Sequence, residues 1–343
     1  MLNTQRSIGI IGSGSFGTAL AVNFSKFVPY IYLKCRSTEF AEKLKREKQN
    51  EYYLKGVPLS ENIMVTDDYE TIFKNCHTIF LAVPSNVLQD VLLKIKTYKD
   101  KFDLYDYVFI NTAKGLGDKS MDLPHKVFSR VLGDLMLERY AILSGPSFAV
   151  EVSKHLPTAV CVASSNIKIL DELKNFFKNI VNFRIYTLND VIGVELGGSL
   201  KNIIALAAGI SDGLGLGSNA RAALLTRGIV EITRFGEAFG ADKLTFTGLS
   251  GLGDLILTST SDLSRNRSVG LRIGRGENLE SILKGMKMVA EGVATTRSAH
   301  ITAKEKNIYM PITEVVYSVL YEGLRPEDAI IKLLERDIKN EFI

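Results

Sequence analysis

Lys201 is the residue whose surroundings in the sequence point most directly to chemistry. It follows Gly197 and Gly198 by four and three positions, so on a helix the two glycines would share its stripe. A glycine inside a helix costs about 1 kcal/mol relative to alanine, so the pair indicates close approach of a ligand or of another backbone. An apolar setting favours the neutral form of a lysine, which suits a general acid or base. The spacing is equally consistent with a helix packed through its glycines, with Lys201 reaching outward to solvent.

A second glycine-rich run, Gly248–Leu255, contains Asp254, and the tripeptide Ser264-Arg265-Asn266 follows it. The glycines let the backbone approach another group closely and so orient the aspartate. A hydroxyl, a guanidinium and an amide in succession resemble a phosphate clamp, because each can donate hydrogen bonds to anionic oxygens. Two plain interpretations stay open: Asp254 is only the N-cap of a following helix, and the tripeptide is only a surface turn.

A third glycine-rich run, Gly12–Gly17, has the sequence Gly-Ser-Gly-Ser-Phe-Gly and directly follows the apolar run Ser7–Ile11. It also opens a helical pattern, which is the context that a dinucleotide-binding loop requires. Gly12 would permit the tight turn, Gly14 would let a pyrophosphate approach the backbone, and Gly17 would let the helix pack on the strand. The helix N-terminus would present free N–H groups to the anion. The pattern predicts a bound dinucleotide, the alternative being a tight turn without a ligand.

The end of the next predicted strand bears on the choice of cofactor. An NAD-specific fold usually carries an acid there to hold the ribose hydroxyls. Here the strand ends in Lys34-Cys35-Arg36-Ser37, and the first acid is Glu39. Arg36 could pair with a 2′-phosphate, with Lys34 adding charge nearby, which favours NADP, with NAD also accepted. Alternatively, Arg36 stacks on the adenine or lies in solvent.

Two further loops, Ala82–Ser85 and Asn111–Gly115, follow predicted strands. Doubly wound sheets bind ligands past the carboxyl ends of their strands. Lys114, in the second loop, would place an ammonium at the rim of the cofactor crevice. Its position immediately after an apolar strand favours a function over an ordinary surface lysine.

Strand-like runs alternate with helical patterns in the first half of the chain. The candidate strands are Ser7–Ile11, Tyr30–Cys35, Ile63–Thr66, Thr78–Val83, Tyr107–Asn111, Ala141–Ser144, Thr158–Ala163 and Phe183–Leu188. Several are apolar on both faces, which predicts a parallel, doubly wound sheet covered by helices. From Asn189 the pattern is mostly helical. We therefore predict an α/β protein: a Rossmann-type dinucleotide-binding domain, residues 1–188, followed by an all-α substrate-binding and catalytic domain, residues 189–343.

The composition excludes several classes of function. The 42 basic and 38 acidic residues leave a net charge of +4, and no basic run supplies a nucleic-acid-binding face. Cys35, Cys76 and Cys161 form no CxxC pair, which predicts reduced thiols in a cytoplasmic protein. The four histidines are isolated and lack metal-ligand spacing, so we expect no metal.

No segment of the sequence predicts membrane insertion. The polar start, Met1–Ser7, lacks the charged beginning and long apolar core of a signal peptide. The most apolar long stretch, Asp190–Leu216, contains Glu195, Lys201 and Asp212. Since a spanning helix needs about 20 residues nearly free of charge, this stretch is predicted to be a buried helix.

Taken together, these motifs resemble the bacterial-type NAD(P)-dependent glycerol-3-phosphate dehydrogenase family, from the N-terminal loop to near the C-terminus. Many motifs in one order are far more specific than any one alone. The matching stretches are Gly12–Gly17, Ala82–Ser85, Ala113–Gly115, Leu143–Ala149, Leu156–Val160, Glu195–Asn202, Leu224–Gly228, Thr247–Asp254, Ser264–Asn266 and Glu291–Gly292.

The resemblance implies a role for each matching position. Lys201 would be the acid/base that exchanges the proton of the C2 hydroxyl, and Asp254 would sit beside it and hold its charge and orientation. The substrate-binding residues would be Lys114, Gly145, Ser147, Lys201 and Asp254, with Ser264, Arg265 and Asn266 at the phosphate end. The cofactor would be lined by Gly12, Gly14, Ser15, Phe16, Gly17, Arg36, Lys114, Ala149, Arg265, Val289 and Glu291.

The implied activity is reduction of dihydroxyacetone phosphate to sn-glycerol 3-phosphate for phospholipid synthesis, with NADPH preferred over NADH and no metal. The long apolar helical region leaves surface for a homodimer. Two alternatives remain: a dehydrogenase of the same build that acts on a 3-hydroxy acid or its phosphate, and a non-catalytic NAD(P) sensor. The cluster of Lys114, Lys201, Asp254 and Arg265 argues against the sensor, which needs to keep only the dinucleotide loop.

Overall fold

The computed structural model describes residues 7–116, 122–286, 289–335 and 341. Residues 1–6, most of the polar N-terminal segment considered above, lie outside this part. The chain divides into two compact units, one of residues 1–115 and 122–195 and the other of residues 116–121 and 196–343. The division falls inside the helix Val191–Gly213. The domain boundary predicted at residues 188 and 189 precedes this helix and stays a prediction.

The first unit is built from a sheet and flanking helices. Its strands are β1 (Ile8–Ile11), β2 (Ile31–Lys34), β3 (Gln49–Asn50), β4 (Leu54–Pro58), β5 (Ile63–Thr66), β6 (Thr78–Leu81), β7 (Val108–Asn111), β8 (Tyr140–Ser144), β9 (Thr158–Ala163) and β10 (Phe183–Leu188). Its helices are α1 (Ser15–Phe24), α2 (Thr38–Glu47), α3 (Tyr69–Asn75), α4 (Leu88–Lys96), α5 (Pro124–Leu132), α6 (Ala149–Ser153) and α7 (Ile167–Phe177).

The main sheet brings the carboxyl ends of its central strands to one edge. The strand order is β10-β9-β8-β7-β6-β1-β2-β5, so the order reverses at β1. Ile11, the last residue of β1, pairs in parallel register with Lys34 on β2 and Leu81 on β6. Leu81 in turn pairs with Asn111 on β7. The reversal point of such a sheet is where ligands bind, so this edge is where the site residues of the first unit are expected.

The predicted fold class, a doubly wound α/β unit followed by helices, is confirmed, and three strands have the predicted bounds: β5, β9 and β10. The prediction of a parallel sheet is wrong for β9 and β10. β9 pairs antiparallel with β8, and β10 runs parallel to β9. The connection from β8 to β9 holds only the short α6, about 7 Å long, which cannot return the chain along a strand of about 17 Å. The chain therefore enters β9 from the edge at which it left β8.

The sequence analysis missed the small antiparallel pair β3–β4. β3 has only two residues, and β4 contains both Gly56 and Pro58, so no alternating apolar pattern marks either strand. This pair lies between α2 and β5 in the chain, and its first residues contact the loop after β1, as described below.

Aromatic packing fixes α1 on the sheet. Phe24, the last residue of α1, is fully buried, and its ring lies 5.4–5.9 Å from the rings of four others: Phe80, Phe176, Phe177 and Phe183. Such pairs contribute about 1 kcal/mol each beyond the area that they bury. On the other side, the amide Nδ2 of Asn23 donates to Val152 O of α6 at 2.8 Å. The helix that begins at the glycine-rich loop is therefore held firmly at its far end.

The second unit is helical in the part of it that the structure describes. Its helices are α8 (Val191–Gly213, whose first turn belongs to the first unit), α9 (Gly217–Glu237), α10 (Lys243–Thr247), α11 (Asp254–Thr260), α12 (Arg265–Gly274), α13 (Leu279–Lys284), α14 (Glu291–Glu305), α15 (Pro311–Tyr321) and α16 (Pro326–Leu334). A π-helical turn, Leu249–Gly253, precedes α11.

The helix α8 is the core of this unit and matches the buried helix predicted from the sequence. Among the described residues, it alone is long and apolar enough to cross a membrane, but 89% of its most apolar window is buried inside the protein, as in a core helix. Glycines let α12 pack directly on it: a Cβ at Gly270 would lie 2.1 Å from Leu206 O, and a Cβ at Gly274 would lie 2.4 Å from Ile210 O. The backbones of these two helices therefore meet without intervening side chains.

Glu231 of α9 ties α15 into the second unit. Its buried carboxylate accepts hydrogen bonds from Ile312 N at 2.7 Å, Thr313 N at 2.8 Å and Thr313 Oγ1 at 2.6 Å. Desolvation by burial raises the pKa of this carboxyl above its ordinary value of 4.5. The folded protein therefore holds this proton more tightly than the unfolded chain, and the associated stability is present below pH 4.5 and is lost as the pH rises through the higher folded pKa.

Replacing Glu231 by glutamine should lower the free energy of unfolding by about 2 kcal/mol at pH 4, because the amide turns one acceptor into a donor facing buried donors. The difference in the free energy of unfolding between the variant and wild type should shrink as the pH rises. Only the wild-type side chain titrates, so only the wild-type protein loses stability there. Urea unfolding at several pH values measures this, with Glu237→Gln on the exposed face of α9 as control. A difference that grows with pH would contradict the assignment.

Candidate active site

In the glycine-rich loop after β1, Gly12 and Gly17 pack tightly against the backbone, whereas there is free space beside Gly14. Gly12 has φ of +113°, and a Cβ there would lie 2.3 Å from Ala82 O. A Cβ at Gly17 would lie 1.9 Å from Gly12 O, which any side chain would prevent. A Cβ at Gly14 would have no neighbour within 4 Å. Gly14 is also the N-cap of α1 and carries no side chain to cap it. The loop therefore fits a pyrophosphate at the helix N-terminus.

Ser15 and Phe16, between Gly14 and Gly17, both contact the protein. The hydroxyl of Ser15 donates to Tyr53 O at 2.8 Å. Phe16 is half-buried and packs against the core of the first unit. Both were predicted to line the cofactor, and the structure places them in the first turn of α1, where their backbone N–H groups belong to the helix N-terminus.

At the end of β2, the two cations have different surroundings. Lys34 is buried, and its Nζ lies 4.1 Å from the centroid of the Tyr69 ring. Burial lowers the pKa of this lysine. Arg36 is exposed, and the next residue, Ser37, caps α2 by accepting from Phe40 N at 3.3 Å. Lys34 therefore lies against Tyr69, whereas Arg36 is exposed past the strand end.

A second group of predicted residues meets at the ends of β7 and β8. The ammonium of Lys114 donates to Gly145 O at 2.8 Å, and the hydroxyl of Ser147 donates to the same oxygen at 2.9 Å. Gly145 has φ of +134°, and its Cβ position lies 3.0 Å from Val160 Cα of β9. Ala149, predicted to contact the cofactor, is the first residue of α6. The structure thus brings three predicted substrate-binding residues into direct contact.

In the second unit, Lys201 and Asp254 form a buried ion pair. Lys201 Nζ lies 2.5 Å from Asp254 Oδ1, and their exposed fractions are 5% and 1%. The outward, solvated position that the spacing allowed for Lys201 is therefore excluded. Asp254 has helical backbone angles and is the first residue of α11, with Gly253 before it as N-cap. The interpretation of Asp254 as only an N-cap is therefore wrong as well.

Thr258 completes this pair and was missed by the sequence analysis. Its Oγ1 accepts from Lys201 Nζ at 2.7 Å and lies 3.3 Å from Asp254 Oδ1, to which it donates. The only available signal was its spacing, four residues after Asp254, which places both side chains on one face of a helix. Threonine at that spacing is too common to single out without the structure.

Gly197 explains how Asp254 reaches Lys201. A Cβ at Gly197 would lie 2.9 Å from Ser250 O and 3.4 Å from Gly251 Cα. Glycine therefore lets the turn Leu249–Gly253 lie directly on α8, and α11 starts beside the lysine. Of the two explanations for the helix-interior glycines, close approach of another backbone holds at Gly197.

The predicted phosphate-clamp residues lie at the start of α12. Ser264 is the N-cap of this helix, and its hydroxyl accepts from Arg267 N at 3.2 Å. The buried amide of Asn266 donates to Asn202 Oδ1 at 2.9 Å and accepts from Gly292 N at 3.0 Å. Since Asn202 directly follows Lys201, this bond ties the start of α12 to the lysine-bearing turn of α8.

Arg265 contacts one of the other predicted cofactor positions, Val289. It is exposed, and its Nη1 donates to Val289 O at 2.9 Å. Glu291 lies two residues further on, as the first residue of α14. The predicted site residues therefore form two groups in the first unit, at the β1 loop and at the ends of β7 and β8, and a connected group in the second.

Within residues 7–116, 122–286, 289–335 and 341, no three side chains of His, Cys, Asp or Glu come together in a way that could hold a metal ion. The ammonium of Lys201 could stabilise a developing negative charge directly.

Comparison with known proteins decides the family. The family described as NAD-dependent glycerol-3-phosphate dehydrogenase N-terminus matches residues 7–170, and the corresponding C-terminus family matches residues 190–331. The chain belongs to the NAD-dependent glycerol-3-phosphate dehydrogenase family. The resemblance predicted from the motifs is thereby confirmed.

Individual members of the glycerol-3-phosphate dehydrogenase family match over nearly the whole chain. A protein named glycerol-3-phosphate dehydrogenase (NAD(P)+) from Thermoanaerobacter sp. (strain X514) is 44% identical over 98% of this chain and 98% of its own. The protein of the same name from Syntrophotalea carbinolica is 45% identical over 98% of this chain and 99% of its own. A crystal structure of glycerol-3-phosphate dehydrogenase from Coxiella burnetii superposes with a TM-score of 0.88 at 37% identity, covering 97% and 100% of the two chains.

Proposed function

We propose that this chain reduces dihydroxyacetone phosphate to sn-glycerol 3-phosphate, with Lys201 as the general acid/base. The observation that carries the proposal is the buried Lys201–Asp254 pair, with Nζ and Oδ1 2.5 Å apart, in a chain of the glycerol-3-phosphate dehydrogenase family. A lysine fixed by a carboxylate and a hydroxyl is confined to one position, as proton transfer to a substrate atom requires.

Lys201 would donate a proton to the carbonyl oxygen at C2 in the reduction and take the proton from the C2 hydroxyl in the reverse direction. The bound nicotinamide supplies or accepts the hydride. Asp254 holds the ammonium by charge, and Thr258 Oγ1 accepts one of its N–H bonds, so both partners orient the lysine. The positive charge of Lys201 stabilises the negative charge that develops on the oxygen in the transition state.

The groups in the first unit support binding. The loop Gly12–Gly17 would hold the pyrophosphate of the cofactor, as its open space at Gly14 allows. Lys114 and Ser147, which share the carbonyl of Gly145, would contact the substrate. Arg265 and the N-terminus of α12 would hold the phosphate end, since a guanidinium and free helix N–H groups both bind phosphate oxygens.

Three finer parts of the proposal rest on features of the sequence together with the family resemblance. The product would supply the glycerol phosphate backbone of phospholipids. The protein would be a cytoplasmic homodimer, without membrane insertion and without nucleic acid as a partner. NADPH would be preferred over NADH.

Substrate profiling tests the assignment against the nearest alternative. Oxidation of NADPH and NADH would be followed with dihydroxyacetone phosphate and with unphosphorylated dihydroxyacetone. In the reverse direction, reduction of NADP+ and NAD+ would be followed with sn-glycerol 3-phosphate and with a 3-hydroxy acid. We expect turnover of the phosphorylated ketone and values of kcat/KM about 10³-fold lower without the phosphate, because its binding energy is lost. Turnover of the 3-hydroxy acid in preference to glycerol 3-phosphate would overturn the proposal.

Replacing Arg36 by alanine should weaken NADPH binding about tenfold and leave NADH binding within about twofold, because one charge-assisted contact to a 2′-phosphate is lost. Fluorescence titration with each cofactor measures both constants. Arg46→Ala, on the exposed face of α2, is the matched control. Equal weakening of NADPH and NADH binding would indicate that Arg36 stacks on the adenine. No change in either would indicate that its side chain lies in solvent.

A further inference from the structure

Asn50, the last residue of β3, is fully buried against the glycine-rich loop. Its Nδ2 donates to Ser13 O at 2.9 Å and to Thr18 Oγ1 at 2.8 Å. Its Oδ1 accepts from Tyr53 N at 3.2 Å. Both amide protons are thus used on the loop and on α1, whereas the carbonyl holds the chain that follows Asn50. A side chain 37 positions from Ser13 in sequence therefore holds the loop in place through hydrogen bonds.

Other bonds fasten the same two segments together. The hydroxyl of Ser15 donates to Tyr53 O at 2.8 Å, and the hydroxyl of Thr18 donates to Ser13 O at 3.3 Å. The ring of Tyr53 lies 5.9 Å from that of Phe40 on α2, in an edge-to-face arrangement. The loop is consequently attached to α2 and to the β3–β4 pair as well as to the strand and helix on either side of it.

The bond to Ser13 O determines the orientation of the next N–H group. A trans peptide is planar, with its oxygen and its hydrogen on opposite sides, so holding the Ser13 carbonyl toward Asn50 directs the Gly14 N–H away from it. Gly14 by itself would allow this peptide to rotate, because glycine tolerates both signs of φ. The position of Gly14 is also where the loop is open, with no atom within 4 Å of a Cβ there.

We propose that Asn50 is a positioning residue for the dinucleotide: it fixes the Ser13–Gly14 peptide so that the loop presents its N–H groups to the pyrophosphate. The inference rests on the proposed function, since it takes NAD(P)H to be the ligand of this loop. Without the Asn50 amide, the peptide samples several orientations, and binding must select one of them.

The test compares Asn50→Ala and Asn50→Asp with Asn62→Ala in the full-length protein. Asn50→Asp keeps the acceptor for Tyr53 N and loses both donated bonds. Asn62 is a matched control, because its Nδ2 also donates to backbone oxygens beside α1, but past the other end of the helix, at Ser25 (2.8 Å) and Val28 (3.1 Å). The measurements are the Kd of NADPH and NADH by fluorescence titration, the kcat and KM for dihydroxyacetone phosphate reduction, and the Tm.

Both Asn50 variants should raise Kd and the cofactor KM about tenfold, the range expected when a buried hydrogen-bonding group loses its partner, and should leave kcat within about twofold. Asn62→Ala should lower the Tm with Kd unchanged. If the Asn50 variants do not fold, Thr18→Val, which removes one partner of Asn50 with little change of shape, should raise Kd about threefold.

If the folded Asn50 variants, or Thr18→Val, bind NADPH and NADH as tightly as wild type, this inference is overturned and the proposed function still stands. A fall in kcat at unchanged Kd, or an equal rise in Kd for Asn62→Ala, would overturn it too. A wild-type protein that binds neither NADPH nor NADH would overturn the proposed function first, and this inference with it.

Discussion

Replacing Lys201 by alanine should lower kcat for the reduction of dihydroxyacetone phosphate by about 10⁴-fold, the upper range for loss of a positioned general acid. Lys201 is buried with Asp254 and Thr258, so bulk water cannot readily take over as the proton donor. Lys201→Arg should lose at least about 10³-fold, because arginine keeps the positive charge but does not give up its proton. Comparison of the arginine and alanine variants thus separates the contribution of proton transfer from that of charge stabilisation.

Steady-state kinetics, with NADPH binding measured alongside, check this prediction. NADPH binding should stay within about twofold, because the predicted pyrophosphate site is the Gly12–Gly17 loop. The control is Lys284→Ala, whose side chain is 75% exposed and pairs with Glu280 at 2.7 Å. A Lys201→Ala protein that keeps a tenth or more of the wild-type kcat would remove the lysine from the proton-transfer role.

Replacing Asp254 by asparagine should lower kcat by about 10²–10³-fold, because the amide keeps the shape of the side chain but not the charge that orients the lysine. It should also lower the free energy of unfolding by about 3 kcal/mol, since a buried ammonium is left without its counter-charge. The control is Asp262→Asn, an aspartate that pairs with Arg267 at 2.6 Å but is 97% exposed. We expect that variant to change both quantities little, because exposed ion pairs contribute little.

Activity and urea unfolding of both aspartate variants would be measured together. A folded Asp254→Asn protein with wild-type kcat would mean that Lys201 is oriented without its carboxylate. A loss of stability without a loss of activity would make the ion pair purely structural.

Much of the fold could be predicted because its signals are local. Apolar runs such as Thr158–Ala163 and the glycine spacing of Gly12–Gly17 reflect rules that act over a few residues. The antiparallel pairing of β9 with β8 was not predictable in this way. The direction of β9 depends on the edge of the sheet to which the connecting segment returns the chain. The β3–β4 pair was missed for a similar reason, since two-residue strands carry no periodicity.

The site was predictable in part. Helical spacing placed Gly197 beside Lys201 but left the lysine either inward or outward, and only the family resemblance put Asp254 next to it. Thr258 carries only its common four-residue spacing from Asp254, since Lys201 lies 57 residues away in sequence. Asn50 lies 37 residues from Ser13, so nothing local marks its bond to the loop. The burial of Lys34 against Tyr69 was not predictable either, because the two residues are far apart in sequence.

Formation of glycerol 3-phosphate is the most direct test of the proposed function. Purified wild-type protein would be incubated with dihydroxyacetone phosphate and NADPH or NADH, and the product would be quantified against the cofactor oxidised. We predict one sn-glycerol 3-phosphate for each cofactor consumed, and almost none with Lys201→Ala. Absence of this product from a wild-type protein that binds the cofactor would contradict the account.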